Sequence, residues 1–141
     1  MSRLGQTSLF PVDLSLPLRN RVTLELVELR DVRYMLERWH YLERVRTGAQ
    51  INYAVWVDGV VDGVITYAYP MMSASLCGVS SVEMVEFARL YLDSNIPHTA
   101  TCAIGKSLRR IKGDWAMTYP DKLPIRLIVS WSDKERHRGT I

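Results

Sequence analysis

Along this chain the spacing of apolar residues changes period several times, and each period predicts an element. Val22, Leu24 and Leu26 alternate with Thr23, Glu25 and Val27, which predicts a strand over Thr23–Leu29. From Arg30 to Arg46 the spacing lengthens. Val32, Met35, Leu36, Trp39, Leu42 and Val45 recur at three- and four-residue steps, as one face of a helix requires. Asp31 sits near the start of that helix, where a negative charge suits the helix dipole, and Gly48 supplies a stop. The runs Ile51–Val57 and Val60–Tyr67 flank Asp58-Gly59, a strong hairpin signal. A second pair, Asp62-Gly63, marks either the turn itself or a bulge, so the register stays open.

Tyr69-Pro70 ends the second strand of the hairpin. Met71–Ser81 is small and polar and reads as a loop, either a substrate lid or a dimer contact. Val82–Leu92 is rich in β-formers and predicts a long central strand. Its strict alternation would place Glu83, Val85, Phe87, Arg89 and Tyr91 on one face. After the turn cluster Asp93–Pro97, Ala100, Ala103, Ile104, Leu108 and Ile111 share a face and predict a helix over Thr99–Lys112. Pro120 and Pro124 bracket a loop, Ile125–Trp131 is a short apolar strand, and Ser132-Asp133 would begin another helix. Residues 1–20, with Pro11 and Pro17, read as an irregular arm. The order predicts an α/β (α+β) fold: a mixed sheet with flanking helices. Strand 82–92 and helix 99–112 form its core β–α unit, and residues 125–131 return as a parallel strand.

Composition narrows the class. The 141 residues suit one domain, residues 1–141, with a core large enough to need no staples. No apolar run approaches the ~20 residues of a membrane span, and the first residues lack a signal-peptide pattern. Cys77 and Cys102 are too few for a disulfide scaffold and are not spaced as zinc ligands. These features predict a cytoplasmic protein with no membrane partner. The net charge of +3 permits a nucleic-acid partner without demanding one. Fourteen of the eighteen Lys+Arg are arginine, which fits either phosphate contacts or a GC-rich genome.

Four places carry candidate chemistry. The start of helix 99–112 aims unpaired N–H groups at its surroundings, and Thr99, Ala100, Thr101 and Ala103 are small enough to admit a phosphate. An ordinary capped helix reads the same way. His40-Tyr41 sets imidazole beside phenol behind Trp39: a base and an acid, two metal ligands, or the aromatic end of a helix. Ser130-Trp131-Ser132-Asp133 follows a buried strand, where ligands of open sheets gather. Asp133, with His137 one helical turn on, suits a base or metal ligand, and equally an N-cap. Arg89 needs a partner within its strand, with Glu83 and Glu86 as candidates; it suits an ion pair or an anion clamp. Lys106, Arg109, Arg110 and Lys112 form a basic flank, either a solvated face or a track for DNA phosphates.

Taken together, Glu-Phe-Ala-Arg-Leu-Tyr-Leu at 86–92, the proline-led turn, the small-residue helix start, Trp39-His40-Tyr41 and Leu127–Ile141 resemble the Mom-like phage DNA-modification family. That family is similar to a divergent GNAT (Gcn5-related N-acetyltransferase) fold. The resemblance covers residues 25–141. It implies modification of the exocyclic amine of adenine in phage DNA, in the host bacterial cytoplasm, as protection from host restriction. It implies active-site roles for His40, Tyr41, Arg89, Thr101, Ser130 and Asp133, and DNA contacts for Lys106, Arg109 and Arg110. The GNAT pyrophosphate motif, Gln/Arg-x-x-Gly-x-Gly/Ala, is replaced by Asn95–Ala103 without its glycines. The family continues past Gly-Thr-Ile into a tyrosine, a helix and a strand, so the C-terminal part reads as truncated. Neither an acyl-CoA-like donor nor an iron or zinc ion is required by these residues, and both are compatible with them. A homodimer is also compatible. Two other functions fit the same residues: a GNAT-fold N-acyltransferase acting on a small molecule or protein, and a non-catalytic DNA-binding domain.

Overall fold

Five strands form one sheet in the order β1-β2-β3-β4-β5. The structure, a computed structural model, describes residues 16–39, 46–71 and 75–131. A short helix α1 (Leu18–Arg21) leads into β1 (Val22–Val27), α2 (Leu29–Arg38), β2 (Gln50–Val57) and β3 (Val60–Ala68). A 3-10 turn at Ser81–Glu83 precedes β4 (Met84–Leu92), followed by α3 (Thr99–Thr118) and β5 (Leu127–Val129). The first four strands pair antiparallel, and β5 joins β4 in parallel.

Most elements match the apolar pattern, with corrections at their ends. The arm expected over residues 1–20 contains the start of α1. β1 ends at Val27 because Glu28 caps the next helix: its side chain accepts from the backbone of Asp31, while the Asp31 carboxylate accepts from the Glu28 N–H at 3.3 Å. Residues 82–83 are a 3-10 turn, so the central strand starts later than predicted. α3 runs to Thr118 rather than Lys112, because Trp115 continues the buried stripe of Ala103, Ser107 and Ile111. The rest of the helix predicted to Arg46 falls partly on residues 40–45, outside the described residues.

The two faces of the sheet bury different things. The α3 face carries Ile51, Tyr53, Val55, Ile65, Tyr67 and Val85 against Ala103, Ile111 and Trp115. Its two tyrosines hold their hydroxyls to the helix, Tyr53 on the Asp114 carboxylate at 2.7 Å and Tyr67 on the Ser107 hydroxyl at 2.7 Å. Burial and the Asp114 carboxylate push the Tyr53 phenol far above its ordinary range. The α2 face packs Ala54, Val61 and Val64 under Val32, Met35 and Leu36.

Two cations of α3 tie the helix to the outermost strand. Lys106 donates to the Val22 carbonyl at 2.6 Å and to the Arg19 carbonyl, and Arg110 donates to the Leu24 carbonyl at 2.7 Å. The fit follows from the two geometries. Residues four apart on a helix are separated by ~6 Å along its axis, and residues two apart on a strand by ~6.7 Å. Replacing Lys106 or Arg110 with methionine is expected to lower stability by roughly 1–3 kcal/mol each, through loss of a charge-assisted bond to a covered carbonyl. A shifted urea midpoint with unchanged slope would show it.

Candidate active site

The faces of β4 are decided by one extra residue. Thr66 pairs with Arg89, but the next residue of β3, Tyr67, pairs with Phe87. Ala88 is therefore a bulge, and the alternation slips by one across it. Before the bulge, Val85 and Phe87 face α3; after it, Leu90 and Leu92 do. Tyr91 packs with the α2 cluster instead, stacking on Trp39 at 5.0 Å. This corrects the strict alternation expected from the sequence. Arg89 does not share a face with Val85 and Phe87; it lies on the α2 side, beside Thr66 and only 6 % exposed. Glu86 and Glu83, the expected partners, each bind another arginine: Arg46 at 2.8 Å and Arg126 at 3.3 Å.

Arg89 ends a buried polar row that crosses three strands. Asn52, Thr66 and Arg89 are consecutive cross-strand partners. The Thr66 hydroxyl donates to Asn52 Oδ1 at 2.7 Å, and Asn52 Nδ2 donates to Gln50 Oε1 at 3.0 Å. Gln50 Nε2 donates in turn to the Arg46 carbonyl at 2.6 Å. The Arg46 guanidinium spans the mouth of the hairpin, binding Glu86 and, at 2.6 Å, the Tyr69 carbonyl. Half of the α2 face is thus ordinary core, and half is a connected polar surface. Burying so many polar groups costs stability unless each is bonded, and here they bond one another. Sequence reasoning missed Gln50, Asn52, Thr66 and Arg46. The signal was present: in Gln-Ile-Asn-Tyr-Ala-Val the even positions begin polar and turn apolar.

The other candidates divide. β5 pairs with β4 only from Met84 to Glu86, and its last residue, Val129, stands opposite Glu86. Ser130 follows at the level of the β4 bulge, and beyond that point β4 has no strand partner on this side among the described residues. At the far end of β4 the chain turns into α3 through His98, whose φ of 67° lies in the left-handed region. Thr99 opens the helix with a buried hydroxyl that has no hydrogen-bond partner; Ala100 is half-buried and Thr101 exposed. Ala103 is a core residue packed against the sheet, so its side chain is not a ligand surface. Lys106 and Arg110 are occupied by the carbonyls of α1 and β1, which leaves Arg109 as the exposed cation of the three. His40, Tyr41 and Asp133 lie outside the described residues. Among the described residues no three His, Cys, Asp or Glu side chains cluster as metal ligands.

A carboxylate that sequence reasoning left unassigned holds the turn before α3. Asp62 is itself a bulge residue, skipped between Val61 and Gly63 in the pairing with β2. Its carboxylate accepts from the Ser94 N–H and hydroxyl, both at 3.0 Å. Gly63 beside it admits the Tyr91 carbonyl, which a Cβ would meet at 1.8 Å. The second Asp-Gly pair is therefore a bulge and not the hairpin turn, which falls at Asp58-Gly59.

Comparison with known proteins follows the same geometry. The sequence matches the Mom protein family over residues 21–141, nearly the whole chain. The chain belongs to that family. No curated protein sequence matches the Mom-family chain significantly. Among solved structures it is similar to an aminoglycoside acetyltransferase from an uncultured soil metagenomic sample, in complex with sisomicin. The TM-score is 0.53 at 8% identity, over 87% of this chain and 85% of that one. The same acetyltransferase with trehalose gives 0.49 at 9% identity, over 83% and 81% of the two chains. AAC(6')-Iy with a CoA-containing bisubstrate analogue gives 0.49 at 12% identity, over 82% of each. The Mom-family chain has the GNAT fold. None of its described helices is long and apolar enough to cross a membrane.

Burial raises the Asp62 carboxyl above its ordinary value of 3.8, against the lowering effect of the Ser94 bonds. Between those two values the folded chain binds more protons than the unfolded one, so this group makes stability fall as pH rises through the window. Urea midpoints measured across that window for the native chain and for Asp62→Asn should differ in slope, the native chain losing more stability, or gaining less, than the variant as pH rises.

Proposed function

We propose that this chain transfers a small group to the exocyclic amine of adenine in DNA, as a protection against restriction enzymes. The observation that carries this reading is the family match over residues 21–141, which takes in all the candidate site residues. The GNAT fold supports group transfer to an amine as the reaction class.

The chemistry asks three things of the protein. Adenine's exocyclic amine is a weak nucleophile, because its lone pair is delocalised into the ring. It must be positioned, deprotonated as the new bond forms, and brought to a donor whose developing charge is stabilised. Asp133 or His40 accepts the proton in this reading. Arg89, buried at the bulge and fixed on the α2 side, orients the acceptor side of the site. The target base leaves the helical stack at a cost of a few kcal/mol, and Trp39, Tyr41 or Trp131 receives it by stacking. Arg109, exposed on α3, meets the phosphate backbone.

The start of α3 fits the anionic end of an acyl-CoA-like donor. The Thr99 hydroxyl is buried there without a partner, beside the small side chains of Ala100 and Thr101. Thr99 and the first N–H groups of α3 would hold such a donor, which would supply an activated acyl group. The loop lacks the glycines of the usual GNAT motif, so the backbone of Asn95–Ala103 carries a different contact pattern.

The test is chemical. The chain is expressed in bacteria, and plasmid DNA is digested to nucleosides and analysed by mass spectrometry. A new adenosine species is expected. Asp133→Ala should reduce it by about 10²–10⁴-fold, as for loss of a general base. An unmodified nucleoside profile from the native chain would overturn the reading, and full activity of the variant would remove Asp133 from the proton step.

A further inference from the structure

A cavity of about 470 Å³ opens where the polar half of the α2 face reaches the end of the sheet. Leu26 and Val27 of β1, Glu28, Gln50 and Asn52 of β2, and Tyr119 after α3 line it. That volume is ample for one heterocycle with its substituents. Apolar side chains supply walls for flat ring faces. The polar groups come from the start of β2, from Glu28 after β1, and from Thr118 and Tyr119 at the end of α3.

The hydrogen bonds there fix the orientation of both amides. Gln50 Nε2 directs its hydrogens to the carbonyls of Arg46 at 2.6 Å and Gly48 at 3.3 Å, and Gln50 Oε1 accepts from Asn52. Asn52 Oδ1 accepts from Thr66. An amide oxygen accepts two bonds and an amide nitrogen donates two. One acceptor position on Gln50 and one N–H on Asn52 therefore remain, side by side on atoms 3.0 Å apart. Gln50 is 8% exposed and Asn52 2%, so water has little access to either. Tyr119 reinforces the arrangement by clamping the Gln50 backbone: its hydroxyl accepts from the N–H and donates to the carbonyl, both at 2.9 Å.

We propose that Gln50 and Asn52 form the edge that recognises the target base. Gln50 Oε1 accepts from an exocyclic amine, and Asn52 Nδ2 donates to the adjoining ring nitrogen. Adenine offers such an adjacent donor and acceptor, its exocyclic amine beside a ring nitrogen, which asparagine and glutamine side chains read bidentately elsewhere. The Thr66 bond ties the recognised edge to β3, where Thr66 is the cross-strand neighbour of Arg89. The choice of adenine rests on the function proposed above. The amide edge itself rests only on the cavity and its hydrogen bonds.

The experiment uses the whole chain, labelled with nitrogen-15, and titrates deoxyadenosine and purine deoxyriboside, which keeps the ring nitrogens and lacks the exocyclic amine. Deoxyadenosine should move the side-chain amide resonances of Gln50 and Asn52, and purine deoxyriboside should not. Asn52→Ala, if its thermal midpoint shows it folded, should weaken deoxyadenosine binding by about tenfold or more. Unmoved amide resonances, or equal movement with purine deoxyriboside, would overturn the proposal. The two readings fail separately. Modified adenosine in DNA with unmoved amides sinks the recognition edge and keeps the activity. Deoxyadenosine-specific shifts without modified DNA keep the edge and sink the activity.

Discussion

A strand can show a given side chain to only one face, and in this protein a single inserted residue decides which. Ala88 shifts the alternation of β4, so Arg89 leaves the apolar face under α3 and joins Thr66 and Asn52 on the other. Without that slip a guanidinium would lie on the face of Tyr67, Ile65 and Ala103, in the apolar core under α3. The bulge therefore separates two incompatible environments along one strand. On one side is a packed core; on the other is a polar row that can hold an arginine. The short β5 obeys the same division, pairing with β4 only before the bulge.

The polar row behaves as a unit. Thr66, Asn52, Gln50 and Arg46 bond in sequence, and the Arg46 guanidinium closes the chain on Glu86 and the Tyr69 carbonyl. Such a network is stable only when each member is satisfied, because a lone buried polar group is costly. It fixes the start of β2 against β3 and β4 with a rigidity that apolar packing alone does not give. A second device works at the other end of the sheet. There the Asp62 carboxylate shapes the turn into α3, while Gly63 lets the strands approach closely.

Much of this was legible in the sequence. Apolar periodicity located all five strands and both longer helices, and Asp58-Gly59 marked the hairpin turn. The motifs around Arg89 and after β5 pointed to the family that the full comparison then supported. What escaped was whatever depends on two strands at once. The Ala88 bulge has no signature within its own strand, since it is extra only relative to a partner, whereas the Asp62 bulge was one of two readings of the Asp62-Gly63 pair. The polar row escaped for a related reason: Gln50, Asn52 and Thr66 are ordinary strand residues until pairing sets them in contact. Charge was misleading in the opposite way. Lys106 and Arg110 looked like a surface for phosphates, yet each serves a backbone carbonyl.

Those two cations have a consequence for assembly. Among the described residues β1 is the outermost strand of the sheet, and an outermost strand ordinarily offers its backbone to a strand from another molecule. Here the Val22 and Leu24 carbonyls are already capped by Lys106 and Arg110. An incoming strand would have to displace two charge-assisted bonds before forming any of its own. Growth of the sheet through β1, whether into a continuous two-chain sheet or into fibrils, is closed off by the same helix that builds the core.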